Sequence, residues 1–344
     1  MSSPVDISTS GDDSSAASSQ LAAATPAASA AAKSGRKPAK RKVKRAAPVE
    51  LVADLDGDLA LLPDRLSPSR AKDYMQCPKL FHFKTILGLR SLNTEATARG
   101  SLAHAALERL FLENAKADRS GVVALSYLRP EWDKMRATTA YEHLVPSERT
   151  LDGTLPWTDF DDAMLATAEE CIRGYYKMEN PKSFDPAGVE IWLKAKELGV
   201  PLHGIIDRLD RVETPSGEVH WVISDYKSGK VPKDRFLDEA FFALKVYAVL
   251  LHDMFGVVAH SLRLLYIRNG SPATIKTMSV DKILIDRTTA QVEALWKAIR
   301  RSAEKSDWPT KTGPLCSWCD FQPDCPAWNT LAGGTRVEVA SRRH

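Results

Sequence analysis

Two aspartates and a lysine on a predicted β-hairpin have the types and spacing needed for metal-assisted chemistry on phosphate. The hairpin centres near Ser216, so Asp207 and Asp225 would face each other with Cβ atoms about 5 Å apart. Lys227 follows Asp225 by two residues and shares its face of the sheet, whereas Tyr226 points away. Facing like charges are destabilising unless a cation lies between them. One lysine supplies part of that charge, and a hard divalent metal with oxygen ligands would supply more.

The strands that must position these residues are predicted over Leu202–Val212 and Val219–Lys227, joined by a turn at Thr214–Gly217. An Asp-x-Lys sequence at the end of a strand is weak evidence by itself, because a solvated strand edge gives the same pattern. The other chemically distinctive residues of the chain must therefore decide between a reactive site and an ordinary surface.

Cysteines form the second distinctive pattern. Three of the five lie close together as Cys316-x2-Cys319-x5-Cys325. Thiolates at this spacing favour a soft metal and usually need a fourth ligand, for which Cys77 is the obvious candidate. The spacing is compatible with zinc as well as with an iron–sulfur cluster. The remaining cysteine, Cys171, lies on a helix with an apolar face and is predicted to be a core residue.

A histidine lies in a predicted amphipathic helix that opens at Gly100. His104 shares a face of that helix with Leu107, Glu108 and Phe111. A histidine in this setting is usually structural. Here, however, the residues spell G-x-x-x-H-x-x-L-E, which makes both residue type and spacing specific.

In order and spacing, these motifs resemble the RecB-like branch of the PD-(D/E)xK nucleases over nearly all of residues 66–328. The resemblance implies an α/β, restriction-endonuclease-like core, in which helices flank a mixed β-sheet and a helical insertion occupies residues 120–184. It implies that His104, Asp207, Asp225 and the backbone carbonyl of Tyr226 bind one or two Mg²⁺ or Mn²⁺ ions. Lys227 would orient or activate the attacking water and stabilise the developing charge.

The four cysteines resemble those of iron–sulfur nucleases in this group, including AddB C-terminal domains and the CRISPR adaptation nuclease family. In those proteins a 4Fe–4S cluster joins the two ends of the nuclease domain. The resemblance implies the same iron–sulfur staple for Cys77, Cys316, Cys319 and Cys325, with Zn²⁺ as the alternative cofactor.

Two further residues have open roles. Glu190, on a strand predicted over residues 188–199, could be an outer metal ligand, although it ranks behind the residues above. RecB-like nucleases carry Q-x-x-x-Y in the helix after the hairpin. Here Tyr247 is present, but Ala243 replaces the glutamine. Tyr247 is therefore either a DNA contact or a packing residue.

Composition divides the chain into three parts. Residues 1–60 are rich in Ser, Ala, Pro and charge and lack aromatic residues, so they predict a disordered tail. A nuclease domain follows over 61–330, and a second disordered tail over 331–344. Lys33–Arg45 in the first tail contain a basic run that includes Lys40, Arg41 and Lys42. This run is either an electrostatic arm for DNA or a solubilising segment.

The resemblance implies a metal-dependent DNA nuclease, an exonuclease that acts on single-stranded or end-processed DNA in repair or recombination, and the composition predicts a cytoplasmic protein. The cysteines do not fit a secreted disulfide framework, and no apolar run is long enough for a membrane span. A Walker A pattern does not occur, so a helicase would be a separate partner. The alternatives are a non-catalytic single-stranded-DNA-binding module, a helicase-associated accessory subunit and a zinc-stabilised regulatory protein.

Overall fold

The computed structural model describes residues 57–145, 155–269 and 274–331, all within one compact unit, Ala53–His344. These ranges contain ten α-helices: α1 (Pro68–Gln76), α2 (Pro78–Phe81), α3 (Glu95–Glu113), α4 (Gly121–Ser126), α5 (Leu128–Arg136), α6 (Asp159–Met178), α7 (Leu237–Ala240), α8 (Phe242–Phe255), α9 (Lys282–Glu304) and α10 (Pro326–Leu331). Among them, none carries an apolar stretch that could cross a bilayer. The predicted basic arm, with Lys40, Arg41 and Lys42, and residues 332–344 lie outside the described ranges.

The strands form a single mixed sheet in the order β1-β2-β3-β4-β5. Their bounds are β1 (Gly188–Lys194), β2 (His203–Glu213), β3 (Val219–Tyr226), β4 (Ser261–Leu265) and β5 (Ile275–Ser279). Only β3 and β4 pair in parallel, and α7 and α8 lie between them in the chain, as a parallel connection requires. The sequence analysis does not predict β5, a half-exposed edge strand of mixed polarity.

The predicted hairpin has the predicted register. Arg208 pairs with Ser224 in antiparallel β2 and β3, so continuation of the same register places Asp207 opposite Asp225. The turn is Thr214–Gly217, where Gly217 has a φ of 81° that glycine adopts without steric cost. Local turn chemistry therefore fixes the relative position of the two aspartates.

Helix boundaries follow local signals. Ser67 caps α1 by accepting a hydrogen bond from the backbone N–H of Arg70, and Pro68 takes the first helical position. The Cys77-Pro78 step ends α1 and starts α2, as the sequence predicts. α3 begins earlier than expected, at Glu95, because Thr94 forms a capping box there.

Hydrophobic cores lie on both faces of the sheet. The first combines residues of α1, α8 and α9 with Leu209, Ile223 and Leu262. The second combines residues of α3, α5 and α6 with Tyr226 and Leu265. Helices thus cover both faces of the mixed sheet, which leaves the ends of the strands as the accessible place for a site.

The two ends of the described chain meet at a cluster that we call the terminal seam: Asp58, Phe81, Phe83, Trp308 and Phe321. The indole N–H of Trp308 donates a hydrogen bond of 2.5 Å to Asp58 Oδ2. Its ring stacks on Phe81 with centroids 5.6 Å apart, while the rings of Phe83 and Phe321 lie 5.3 Å apart. Side-chain contacts alone therefore already join regions at opposite ends of the domain.

Candidate active site

Three carboxylates form a row across the first three strands. Asp207 on β2 faces Asp225 on β3. On its other side, β1 pairs Ile191 with Ile206, and the same register places Glu190 opposite Asp207. Glu190 therefore lies in the acidic row beside Asp207, and its role as an outer metal ligand stays a prediction.

Both β1 and β2 depart from the regular alternation of a strand where this row crosses them. Ile206 and Leu209 pack into the same core although they are three residues apart, so the alternation of faces along β2 is interrupted between them. On β1, Val189 and Ile191 pack into opposite cores although they are two residues apart. Glu190 lies between them with a φ of 50°, in the left-handed region that residues other than glycine seldom adopt. Such strain tends to occur at functional sites.

Helix α3 brings His104 to the acids. His104 Nδ1 lies 3.3 Å from Asp207 Oδ2, and its Nε2 donates a hydrogen bond of 2.8 Å to the carbonyl oxygen of Tyr226. Gly100 allows this approach, because a Cβ at that position would lie 2.8 Å from Ser228 Oγ. The structure thus brings His104, Asp207 and the Tyr226 carbonyl together.

Lys227 lies against Asp225. Its Nζ is 2.5 Å from Asp225 Oδ2, and the Asp225 side chain is only 7% exposed. The Lys227 backbone is fixed because its N–H donates to the carbonyl of Leu265 and its carbonyl accepts from the N–H of Ile267. Burial opposes protonation, but the carboxylates of Asp225 and Asp207 raise the pKa of Lys227. The side chain is therefore a cation at neutral pH, which suits charge stabilisation better than proton abstraction.

Two of the three acids, Asp207 and Glu190, have a raised pKa. Burial, then the neighbouring charge of Asp225, raises the pKa of Asp207 to about 6, despite the hydrogen bond of 3.0 Å that its Oδ2 accepts from the backbone N–H of Tyr226. Burial, then the charges of Asp207 and Glu108, raises the pKa of Glu190 to about 7. The row is thus short of positive charge and would gain from a bound cation.

Tyr247 on α8 lies against the same group. It packs on Gly204 so closely that an added Cβ there would lie 2.4 Å from Tyr247 Cε1. Burial, followed by the charges of Asp225 and Asp207, raises the pKa of the Tyr247 hydroxyl. Tyr247 therefore combines a packing role with a position beside the acids.

Two charged residues of the site were not assigned from the sequence. Glu108, one helical turn after His104, contributes to the raised pKa of Glu190. Lys72 on α1 is a second lysine near the site: burial and the charge of Lys227 lower its pKa, while Glu239 and Asp225 oppose that shift. Glu108 belongs to the helical motif, whereas nothing in the local sequence distinguishes Lys72.

The donor set is chemically suited to a hard divalent ion, because it consists of carboxylate and carbonyl oxygens and one imidazole. In the described part of the chain, however, no group of three or more His, Cys, Asp or Glu side chains is arranged to hold a metal ion. His104 and Lys227 contact the carboxylates instead. The residues are assembled, but metal binding would require His104 and Lys227 to release the carboxylates that they contact.

The four cysteines of the predicted staple line a single cavity of about 160 Å³ next to the terminal seam. Backbone N–H groups point at two of the sulfurs: Lys311 N lies 3.4 Å from Cys77 Sγ, and Gly313 N lies 3.3 Å from Cys316 Sγ. Burial raises the pKa of Cys319, and Cys325 contributes to that shift. Cys171 is fully buried in the second core, as predicted.

Comparison with known proteins places the chain in a family. Residues 65–326, more than half of the chain, match the PD-(D/E)XK nuclease superfamily. The crystal structure of a protein named "Putative exonuclease" from Eubacterium rectale is similar, with 13% identity and a TM-score of 0.44, over 75% of this chain and 86% of that chain. That likeness is too remote to support an argument, and no curated protein gives a significant match. By the extent of its family match, the chain belongs to the PD-(D/E)XK nuclease superfamily.

Proposed function

We propose that this protein is a metal-dependent deoxyribonuclease, an exonuclease that hydrolyses single-stranded or end-processed DNA in repair or recombination. The observation that carries the proposal is the convergence of Glu190, Asp207 and Asp225 beside Lys227. Membership of a nuclease superfamily supports it. A protein that only held DNA would gain nothing from carboxylates next to phosphate, which disfavours the non-catalytic module.

Mg²⁺ or Mn²⁺ is the proposed cofactor, held by Asp207, Asp225 and the Tyr226 carbonyl with His104 or Glu190. When bound, the metal supplies a water of lowered pKa and positive charge for the phosphate oxygens. For the metal to bind, Asp225 must separate from Lys227, and Asp207 and Glu190 must lose their protons. Metal affinity should therefore fall as the pH drops below about 7.

Lys227 and Lys72 are the proposed cationic partners of the DNA. A protonated Lys227 freed from Asp225 can stabilise charge that develops on the phosphate. Lys72 forms no hydrogen bond or ion pair with any described residue, so its ammonium group is available for a neighbouring phosphate. Tyr247 would then support the substrate from α8.

We further propose that Cys77, Cys316, Cys319 and Cys325 hold a 4Fe–4S cluster. Helices α4 to α6, which lie between Cys77 and the other three cysteines in the sequence, are the proposed helical insertion. That all four cysteines line one cavity supports a shared metal group. The choice of iron–sulfur over zinc rests on the resemblance to the iron–sulfur nucleases, because the spacing of the cysteines suits both.

The test of the main proposal is cleavage of end-labelled single-stranded and duplex DNA by anaerobically purified protein with Mg²⁺, Mn²⁺ or EDTA. Asp225→Ala serves as the inactive comparison. Cleavage that needs metal and is lost in Asp225→Ala establishes the nuclease, and the product ladder gives its direction. DNA binding by both proteins without any cleavage would instead favour the non-catalytic module or a requirement for a separate helicase.

A further inference from the structure

Two tryptophans are exposed in this protein, and one of them lies beside the acidic row. All eight tryptophans fall within the described ranges, and of these only Trp192 and Trp318 are strongly exposed, at 65% and 85%. Trp192 belongs to the edge strand β1. Its neighbours Ile191 and Leu193 pack into the core with α8, so the Trp192 side chain is on the opposite face.

The position of Trp192 relative to the site is fixed by the sheet. It follows Glu190 by two residues, which is a rise of about 7 Å along a strand. On β2 it pairs with Ile205, which precedes Asp207 by two residues. The indole therefore lies one strand repeat from the acids, beside a half-buried aliphatic side chain that can support one side of it.

Basic side chains surround this part of the sheet. Lys194 is exposed and shares the face of Trp192, and it pairs with His203. The backbone N–H of His203 donates to the carbonyl of Leu66, the residue after Arg65. An Arg70 guanidinium N–H donates to the carbonyl of Arg65, so both arginines lie near His203. Burial, then the charges of Arg70 and Arg65, lowers the pKa of His203, and the carboxylate of Asp64 opposes that shift. The Arg65 side chain is 53% exposed. An exposed aromatic ring among cations is the combination that binds single-stranded nucleic acid.

We propose that Trp192 is the stacking platform for an unpaired base of the DNA strand whose phosphate lies at the acidic row. This inference rests on the proposed nuclease function and adds to it the residue that would contact the unpaired base. A base inside a duplex already stacks on both neighbours, so only a single strand, a frayed end or an overhang offers a free face to the indole. Lys194, Arg65 and Arg70 would then neutralise phosphates along the same strand.

The test is DNA binding in EDTA, where cleavage cannot interfere. Trp192→Ala should bind a fluorescent single-stranded oligonucleotide at least about fivefold more weakly than wild type, since stacking on an aromatic residue is worth roughly 1–3 kcal/mol per base. Trp192→Phe should lose less than about threefold, and blunt duplex binding should hardly change in either variant. Trp318→Ala, which removes the other exposed tryptophan, is the matched control.

An abasic scan gives a second measurement, and its first part uses the wild-type protein alone. Removing one base at a time from the oligonucleotide should weaken wild-type binding at one position, and Trp192→Ala should no longer detect that position. Single-strand affinity of Trp192→Ala within twofold of wild type, or equal losses for duplex and single strand, would overturn the proposal. Metal-dependent cleavage by wild type, measured in parallel, reports separately on the nuclease function.

Discussion

Glu190 faces Asp207 across the β1–β2 pair, and it does so from a backbone with a φ of 50°. The strained residue and the interrupted alternation of β2 occur at the same level of the sheet, so both strands depart from regular geometry where the carboxylates come together. Strain and like-charge repulsion both reduce stability. Because the strained backbone and the repelling carboxylates occur at the same place, we infer that these residues serve the chemistry of the site and not the stability of the fold.

The acidic row should make the protein less stable as the pH rises. The pKa of Glu190 is raised from 4.5 to about 7, so the folded state holds a proton that the unfolded state releases between about pH 4 and pH 7. Stability is therefore lost as the pH rises through this window. We expect Glu190→Gln to be more stable than wild type at pH 8 in EDTA by about 1–3 kcal/mol, with little difference at pH 4. Urea denaturation at several pH values measures this.

With divalent metal in place of EDTA, wild type should be more stable than Glu190→Gln. Ligand binding to the folded state stabilises wild type more than a variant with one carboxylate fewer. Glu197→Gln, on the exposed turn after β1, is the control and should change stability by less than about 0.5 kcal/mol. A Glu190→Gln protein that is less stable than wild type at pH 8 would contradict the assignment of Glu190 to a charge-crowded site.

Lys227→Met should reduce metal-dependent cleavage by about 10²- to 10³-fold, the usual cost of removing one group that stabilises transition-state charge. Lys227→Arg should recover part of this rate, because the structure indicates a role as a cation. Lys72→Met removes the second lysine and should cost less than Lys227→Met. Single-turnover cleavage rates at saturating protein test this series, and a wild-type rate for Lys227→Met would exclude its proposed role.

Gly204→Ala should destabilise the protein because the new methyl group would overlap the Tyr247 ring at 2.4 Å. Overpacking of this kind costs about 1–3 kcal/mol. Gly199→Ala makes the same change in open space and should have almost no effect. Thermal denaturation compares the two, and the double variant Gly204→Ala/Tyr247→Ala should lose less than the sum of its parts. Equal melting temperatures for the two alanine variants would place Tyr247 away from Gly204.

Cys319→Ser should lose iron and sulfide and lower the melting temperature, because a cluster bound only by the folded state contributes to its stability. Cys171→Ala should keep wild-type iron content, since Cys171 is in the second core and not in the cysteine cavity. Analysis of the iron, zinc and sulfide content of the anaerobically purified proteins shows which metal they bind and which variant loses it. Zinc without iron in the wild type would establish the alternative cofactor.

Deleting residues 1–56 should weaken DNA binding and flatten its salt dependence without changing the rate of cleavage. Each cation of the Lys33–Arg45 arm that neutralises a phosphate contributes about 0.7 to the salt slope on a single strand. Affinity measured at several salt concentrations tests this. Identical slopes for the full chain and the deletion would leave the arm without a role in DNA binding.

The sequence predicted those parts of the site that depend on local order. The Thr-Pro-Ser-Gly turn sets the register of β2 and β3, so this register could be predicted, and the pairing of Arg208 with Ser224, next to Asp207 and Asp225, confirms it. The backbone of Glu190 could not be predicted, because a left-handed conformation cannot be recognised in the sequence Val-Glu-Ile. Lys72 was missed for another reason: it reaches the site through tertiary packing of α1, which no local pattern encodes. The strand β5 was missed because its half-exposed residues lack strict alternation.

The terminal seam also has a consequence for the synthesis of the chain. Phe81 and Trp308 stack on each other although more than 200 residues separate them in sequence. The ribosome therefore releases α1 and α2 long before their aromatic partners exist, and the apolar surface around Phe81 stays uncovered until almost the whole domain has emerged. Contacts between such distant segments also form slowly. Early release of a truncated chain would thus leave the apolar surface around Phe81 uncovered, and uncovered apolar surface favours aggregation.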